Sequence, residues 1–119
     1  MPRYVILTHD HPSLHWDLML ERGDTLRTWR LATTPVEGEI IVAEAIADHR
    51  HMYLDYEGSV SNNRGTVSRW DSGTYEGNVE DGDRIEIEIH GKKLNGRLSL
   101  NRGDAANVWK LEYTASSNA

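Results

Sequence analysis

The chemistry-bearing residues of this chain are its histidines, and they are clustered. Of six, three lie in Thr8-His9-Asp10-His11-Pro12-Ser13-Leu14-His15-Trp16-Asp17 and two in Asp48-His49-Arg50-His51. Imidazole is a common metal ligand and the side chain that most readily exchanges protons near neutral pH. Two tight groups, each flanked by aspartate, point to one site built from two parts of the chain.

Residues i and i+2 of a strand point to the same face. His15 and Asp17 therefore stand side by side, with Met19 next along. An imidazole beside a carboxylate suits Mn²⁺ or Zn²⁺. The loop after His9 is long enough to turn back and add a third ligand, and Pro12 favours a turn there. Two histidines and one aspartate leave coordination positions open, as a catalytic metal requires. The same spacing also fits hydrogen-bonding histidines at a strand edge, and spacing leaves both readings open.

The second group offers His49 as a phosphate contact or general acid, with Tyr53 able to hydrogen-bond the same group. Its alternative is a solvated polar loop entering a strand. His11 and His51 read as neighbours of the site, and His90, ahead of Gly91, reads as structural.

The elements that must position these groups read as strands almost throughout. Arg84-Ile85-Glu86-Ile87-Glu88-Ile89-His90 alternates strictly. Leu14 to Glu21 alternates too, placing Leu14, Trp16, Leu18 and Leu20 on one face and His15, Asp17, Met19 and Glu21 on the other. Further strands are expected at 3–8, 26–31, 39–46, 51–56, 66–70, 94–100 and 108–113. The stretch 35–47 also tolerates a short helix. Turn signals fall at Arg22-Gly23-Asp24, Asp81-Gly82-Asp83, His90-Gly91-Lys92 and Arg102-Gly103-Asp104. The two Arg-Gly-Asp triplets are ordinary hairpin chemistry, not adhesion motifs. This spacing predicts a compact closed or partly open antiparallel β-barrel of about eight strands with little helix. One domain is expected over 1–114, with a flexible tail at 115–119.

At 119 residues the chain can bury a core, and it has no cysteine. Disulfides, thiolate zinc sites and cysteine nucleophiles are excluded together. The composition fits a cytoplasmic setting, with neither signal-peptide pattern nor membrane-spanning run expected. The formal charge of −6 gives no general attraction to nucleic acid, although a local basic patch or bound cation reverses that field.

Taken in order, these segments resemble the 3′-phosphoesterase domain of bacterial DNA ligase D. The resemblance begins with Tyr4-Val5-Ile6-Leu7-Thr8-His9-Asp10 and Leu14-His15-Trp16-Asp17-Leu18, where the family typically shows His-Asp and then Leu-His-Tyr-Asp-Phe-Arg-Leu-Glu. It continues through Leu26, Trp29 and Pro35, then Asp48-His49 with Tyr53, Tyr56, Glu57 and Gly58. Gly65-Thr66-Val67, Trp70-Asp71-Ser72-Gly73-Thr74-Tyr75, Ile89-His90-Gly91-Lys92-Lys93-Leu94-Asn95-Gly96-Arg97 and Val108-Trp109-Lys110-Leu111 complete it. The resemblance implies a Mn²⁺-dependent enzyme that removes 3′-ribonucleotides and 3′-phosphates in DNA end repair by non-homologous end joining. It implies metal ligands at His9, His15 and Asp17, and a phosphate-contacting pair at His49 and Tyr53. The implied partners are a nucleic-acid 3′ end and a separate DNA ligase or polymerase, with no membrane. No adenylation-lysine motif is visible, so ligation is not expected of this chain.

Three family cations are replaced here, by Met19, Thr33 and Ile41. Each would clamp phosphate oxygens. Arg50 and Arg64 are candidate substitutes by proximity in sequence, whereas Arg30 is expected on the wrong side of its strand. Two functions follow: a metal-dependent 3′-end phosphoesterase, or a catalytically impaired module that holds a DNA end or a partner protein. A cupin-type small-molecule barrel is a third reading, and the histidine spacing does not match it.

Overall fold

The structure is a computed structural model, and it describes residues 1–80 and 82–116. Nine strands follow one another: β1 (Arg3–His9), β2 (His15–Arg22), β3 (Thr25–Leu31), β4 (Ile40–Arg50), β5 (Gly58–Ser59), β6 (Thr66–Glu76), β7 (Arg84–Gly91), β8 (Asn95–Arg102) and β9 (Val108–Ala115). A 3-10 turn, His51–Leu54, joins β4 to the β5 segment. All pairings are antiparallel, in the order β1-β2-β3-β4-β9-β8-β7-β6-β5, with a further β1–β6 pairing.

The expected barrel of about eight strands is therefore corrected. The described residues form a nine-stranded branched sheet, not a simple ring in which each strand has two neighbours. The branch is at β6, an eleven-residue strand. One of its edges pairs with β1; the other pairs with β5 at its start and with β7 at its end. Alternation along a strand reports its two faces and says nothing of how many neighbours share its edges.

Alternation does account for the main core. Ile85, Ile87 and Ile89 of β7 point inward and meet Leu98 and Leu100 of β8, Leu111 of β9 and the Trp29–Trp109 pair. Trp16, Leu18 and Leu20 share this side, but Leu14 lies before β2 and is 60% exposed. A buried side chain of this size contributes about 1.5–3 kcal/mol. The other face of β1 and β2 is also covered. Val5, Leu7 and Met19 pack there with Leu26, Leu54 and Val67 in a second cluster.

That second cluster explains two departures from expectation. Residues 51–56, expected as a strand, start with the 3-10 turn because Leu54 drops onto β1 beside Val5 and Leu7. His51 Nε2 meets Glu21 Oε2 at 2.5 Å, and Arg3 Nη2 meets Asp55 Oδ1 at 2.5 Å, tying both ends of the segment to β1 and β2. The stretch 35–47 takes the strand option from Ile40, because β4 has partners on both edges, β3 and β9. At the carboxyl end, Ala115 belongs to β9 and Ser116 N donates to Asn95 O, while 117–119 of the expected tail lie outside the described residues. So does Asp81 of the expected Asp81-Gly82-Asp83 turn. No helix among the described residues is long and apolar enough to cross a membrane.

Candidate metal centre

The β1–β2 hairpin brings the first histidine group together. Its register sets His9 opposite His15 and Leu7 opposite Asp17. Directly opposed residues of an antiparallel pair share a face. His9, His15 and Asp17 therefore point to the same side as Leu7 and Met19, the side the second cluster covers. The two imidazole rings lie 4.8 Å apart, centre to centre. His9 Nδ1 is 3.6 Å from Asp17 Oδ2, and His15 Nε2 is 3.3 Å from Asp17 Oδ1. One donor atom from each residue falls within 4.8 Å of the others, which is the geometry of a group able to hold a metal ion.

Both rings are held by backbone carbonyls. His9 Nε2 lies 2.8 Å from Arg64 O, and His15 Nδ1 lies 2.9 Å from Ser13 O. A carbonyl only accepts, so in each neutral ring that nitrogen carries the proton. The bare nitrogens, His9 Nδ1 and His15 Nε2, are the two that face Asp17. Fixing the tautomer through the far nitrogen is how proteins prepare histidine for metal. His15 and Asp17 are 4% and 2% exposed, and among the described residues His15 Nε2 and Asp17 Oδ1 have no hydrogen-bond partner. Two buried acceptors thus face one another with no donor between them. Such an arrangement is costly unless a cation or proton lies there.

The loop carrying Arg64 is pinned to β1. Asp10 accepts hydrogen bonds from Thr66 N at 2.7 Å and Thr66 Oγ1 at 2.9 Å. These contacts hold the Asp10 carboxyl below its usual range. Gly65 sits at φ +76°, and a Cβ there would meet Asp10 Oδ1 at 2.1 Å. Only glycine lets the chain pass this close in that conformation.

Beside the trio opens a cleft of about 580 Å³, lined by Asp48, His49 and Arg50 of the second group. His49 and Tyr53 both reach it, their rings edge-on at 5.9 Å. His49 Nδ1 is 3.0 Å from Ala47 O, which leaves Nε2 as its available ring nitrogen. Residues of both sequence groups therefore line one cleft. His11 lies on the cleft wall, His51 is engaged by Glu21, and His90 pairs with Glu76 on the opposite part of the sheet.

Of the cationic candidates, Arg50 and Arg64 both line the cleft. Arg64 Nε donates to Ser61 O at 2.8 Å and Nη2 to Ser61 Oγ at 3.2 Å, so its guanidinium is partly committed. The expectation for Arg30 is corrected. It pairs in register with Asp17, shares that face and lines the cleft. The sequence signal was available, since Trp29 and Leu31 alternate inward and leave Arg30 outward. Where the family places cations, Met19 is 1% exposed on the cleft floor, Thr33 lies exposed beyond β3, and Ile41 packs against the main core.

Fold and site together define a small antiparallel domain with a two-histidine, one-aspartate group, His15 and Asp17 buried and His9 half-buried, beside an open cleft. Residues 7–102 match the family described as DNA Ligase D 3′-phosphoesterase domain. The chain belongs to that family. It is 33% identical over 112 residues to the multifunctional non-homologous end joining protein LigD of Pseudomonas aeruginosa, covering 84% of this chain and 13% of that protein. With the protein of the same description from Mycolicibacterium smegmatis the identity is 32% over 116 residues, covering 82% and 15%. The corresponding protein of Mycobacterium bovis is 30% identical over 108 residues, covering 83% and 14%. The chain thus spans only a small fraction of the length of these relatives.

Proposed function

We propose that this protein is a divalent-metal-dependent phosphoesterase acting on nucleic-acid 3′ ends, removing a 3′-phosphate or 3′-ribonucleotide in DNA end repair. One observation carries the reading: His15 Nε2 and Asp17 Oδ1, buried acceptors 3.3 Å apart, have no donor among the described residues. That donor set fits a divalent cation, with Mn²⁺ the family expectation and Zn²⁺ compatible with the same ligands. His9, His15 and Asp17 would hold the ion, which when bound polarises a phosphoryl oxygen and lowers the pKa of water. His49 offers its free Nε2 to a phosphate oxygen or to the leaving oxygen, and its Nδ1 bond to Ala47 keeps the ring turned. Tyr53 packs on that ring and lines the same cleft. Membership of the ligase D family supports a role alongside ligase and polymerase functions in end joining. A cytoplasmic setting accompanies it.

The test is release of phosphate from a 3′-phosphate primer-template, with and without Mn²⁺, beside His15→Ala. Metal-dependent release that disappears in the variant is the expected result. Absence of release with metal binding intact would replace the enzyme by the end-binding module, a reading favoured by the apolar Met19 and Ile41 at family cation positions.

A further inference from the structure

We propose that Arg30 is the phosphate-binding cation of this cleft, and that it selects a terminal, doubly charged phosphate. The proposal rests on the metal-dependent reading above and names the ligand of the same site. Arg30 is the β3 register partner of Asp17, which puts the two Cα atoms about 5 Å apart on one face. Its side chain is half-buried, lines the cleft, and has a buried Nε without a hydrogen-bond partner among the described residues. Neighbouring carboxylates do not engage it. Asp17 faces the two histidines, and Asp48 holds Arg22 Nη2 at 2.8 Å. Glu44, the register partner on β4, makes no ion pair with it among the described residues. A buried guanidinium Nε without an acceptor holds hydrogen-bonding capacity in reserve.

The charges indicate what fills that reserve. A divalent ion against the single Asp17 carboxylate leaves one positive charge. A phosphate monoester carries close to two negative charges near neutral pH, and an internal phosphodiester carries one. The metal site balances a diester, and Arg30, the cleft arginine in register with Asp17, supplies the second charge that a terminal phosphate requires; Arg64 is held by Ser61, and Arg50 stands at the end of β4. A guanidinium also presents a planar fork matched to two phosphate oxygens, which an ammonium does not. Met19, directly on the cleft floor and 1% exposed, cannot contribute such a contact.

The test uses inorganic phosphate as probe, titrated calorimetrically into wild type, Arg30→Gln, Arg30→Ala and Arg30→Lys, each with and without Mn²⁺. Mn²⁺ binding without phosphate is measured on the same proteins, and thermal melts establish which variants fold. Phosphate affinity is expected to fall about tenfold to a hundredfold in the Gln and Ala variants, with partial recovery in Lys. Mn²⁺ affinity without phosphate is expected to stay equal or tighten, because a like charge has been removed. A merely structural arginine would not produce that opposition. Phosphate affinity within twofold of wild type in a folded variant, or no phosphate binding by wild type under either condition, overturns the assignment. If wild type takes no Mn²⁺ yet binds phosphate through Arg30, the metal reading fails and Arg30 stands. If Mn²⁺ binds normally and the variants bind phosphate unchanged, Arg30 fails and the metal reading stands.

Discussion

Replacing Asp17 by Asn should separate metal binding from folding, with opposite signs. The Asp17 carboxylate is 2% exposed, its Oδ1 has no donor, and two imidazole nitrogens face it. An unpartnered buried acceptor costs about 1–3 kcal/mol, and more when charged. Asn keeps the shape, removes the charge and adds an NH₂ that can donate to His15 Nε2 or His9 Nδ1. Metal-free Asp17→Asn is therefore expected to be more stable than wild type by about 1–2 kcal/mol, or roughly 4–8 °C in Tm for a domain of this size. Mn²⁺ should reverse the order. An ion present at about 100 times its Kd stabilises wild type by about 2.7 kcal/mol. The variant, lacking the anionic ligand, should gain almost nothing at the same concentration. Calorimetric melts in EDTA and in Mn²⁺ read both effects from one pair of proteins. If the variant were less stable than wild type by more than about 1 kcal/mol in EDTA, Asp17 would be an ordinary structural acceptor. An equal Mn²⁺-induced rise in both proteins would remove the aspartate from the ligand set.

Gly65→Ala should cost about 1–3 kcal/mol, since its φ of +76° and the 2.1 Å approach to Asp10 Oδ1 tolerate no Cβ. It should also weaken Mn²⁺ binding, because the loop it distorts carries Arg64 O, the partner of His9 Nε2. Melts and metal titration check the two effects together. Glu21 governs part of the acid limb of stability. The His51 hydrogen bond, opposed by burial and aided by Arg3 N–H, holds its carboxyl below the ordinary 4.5. A depressed folded value means that this stabilisation is complete above about pH 4.5 and is lost as pH falls through the folded value. Glu21→Gln should therefore flatten the fall in urea midpoint below about pH 4.5 while lowering the neutral-pH plateau. An acid limb as steep as that of wild type would refute this.

Much of the site was legible because it lies along two strands and a hairpin. Period-2 alternation puts His15, Asp17 and Met19 on one face without any knowledge of neighbours, and the structure keeps them there. His9 required only that the following loop turn back, which the β1–β2 register does. The convergence of His49 and Tyr53 on the same cleft was foreshadowed by residue type, but nothing in the spacing placed them there. Their approach depends on the 3-10 turn at 51–54, set by Leu54 packing on β1 and by the Glu21–His51 contact across 30 positions. The inward alternation of Trp29 and Leu31 puts Arg30 on the other face of β3, and its register partner Asp17 brings that face to the cleft.

The sequence alone determined the antiparallel strands, the candidate ligands His15 and Asp17 on one face of β2, and the family. These are local properties: side-chain alternation, turn chemistry and residue type act within a few positions. β4 and β6 run past their expected ends, to Arg50 and Glu76. Tertiary structure decided that β6 branches between β1, β5 and β7, that Arg64 O sets the His9 tautomer, and that Arg30 faces the cleft. Each depends on which edges meet and in what register, and that is chosen by the burial of both faces of the β1–β2 hairpin at once.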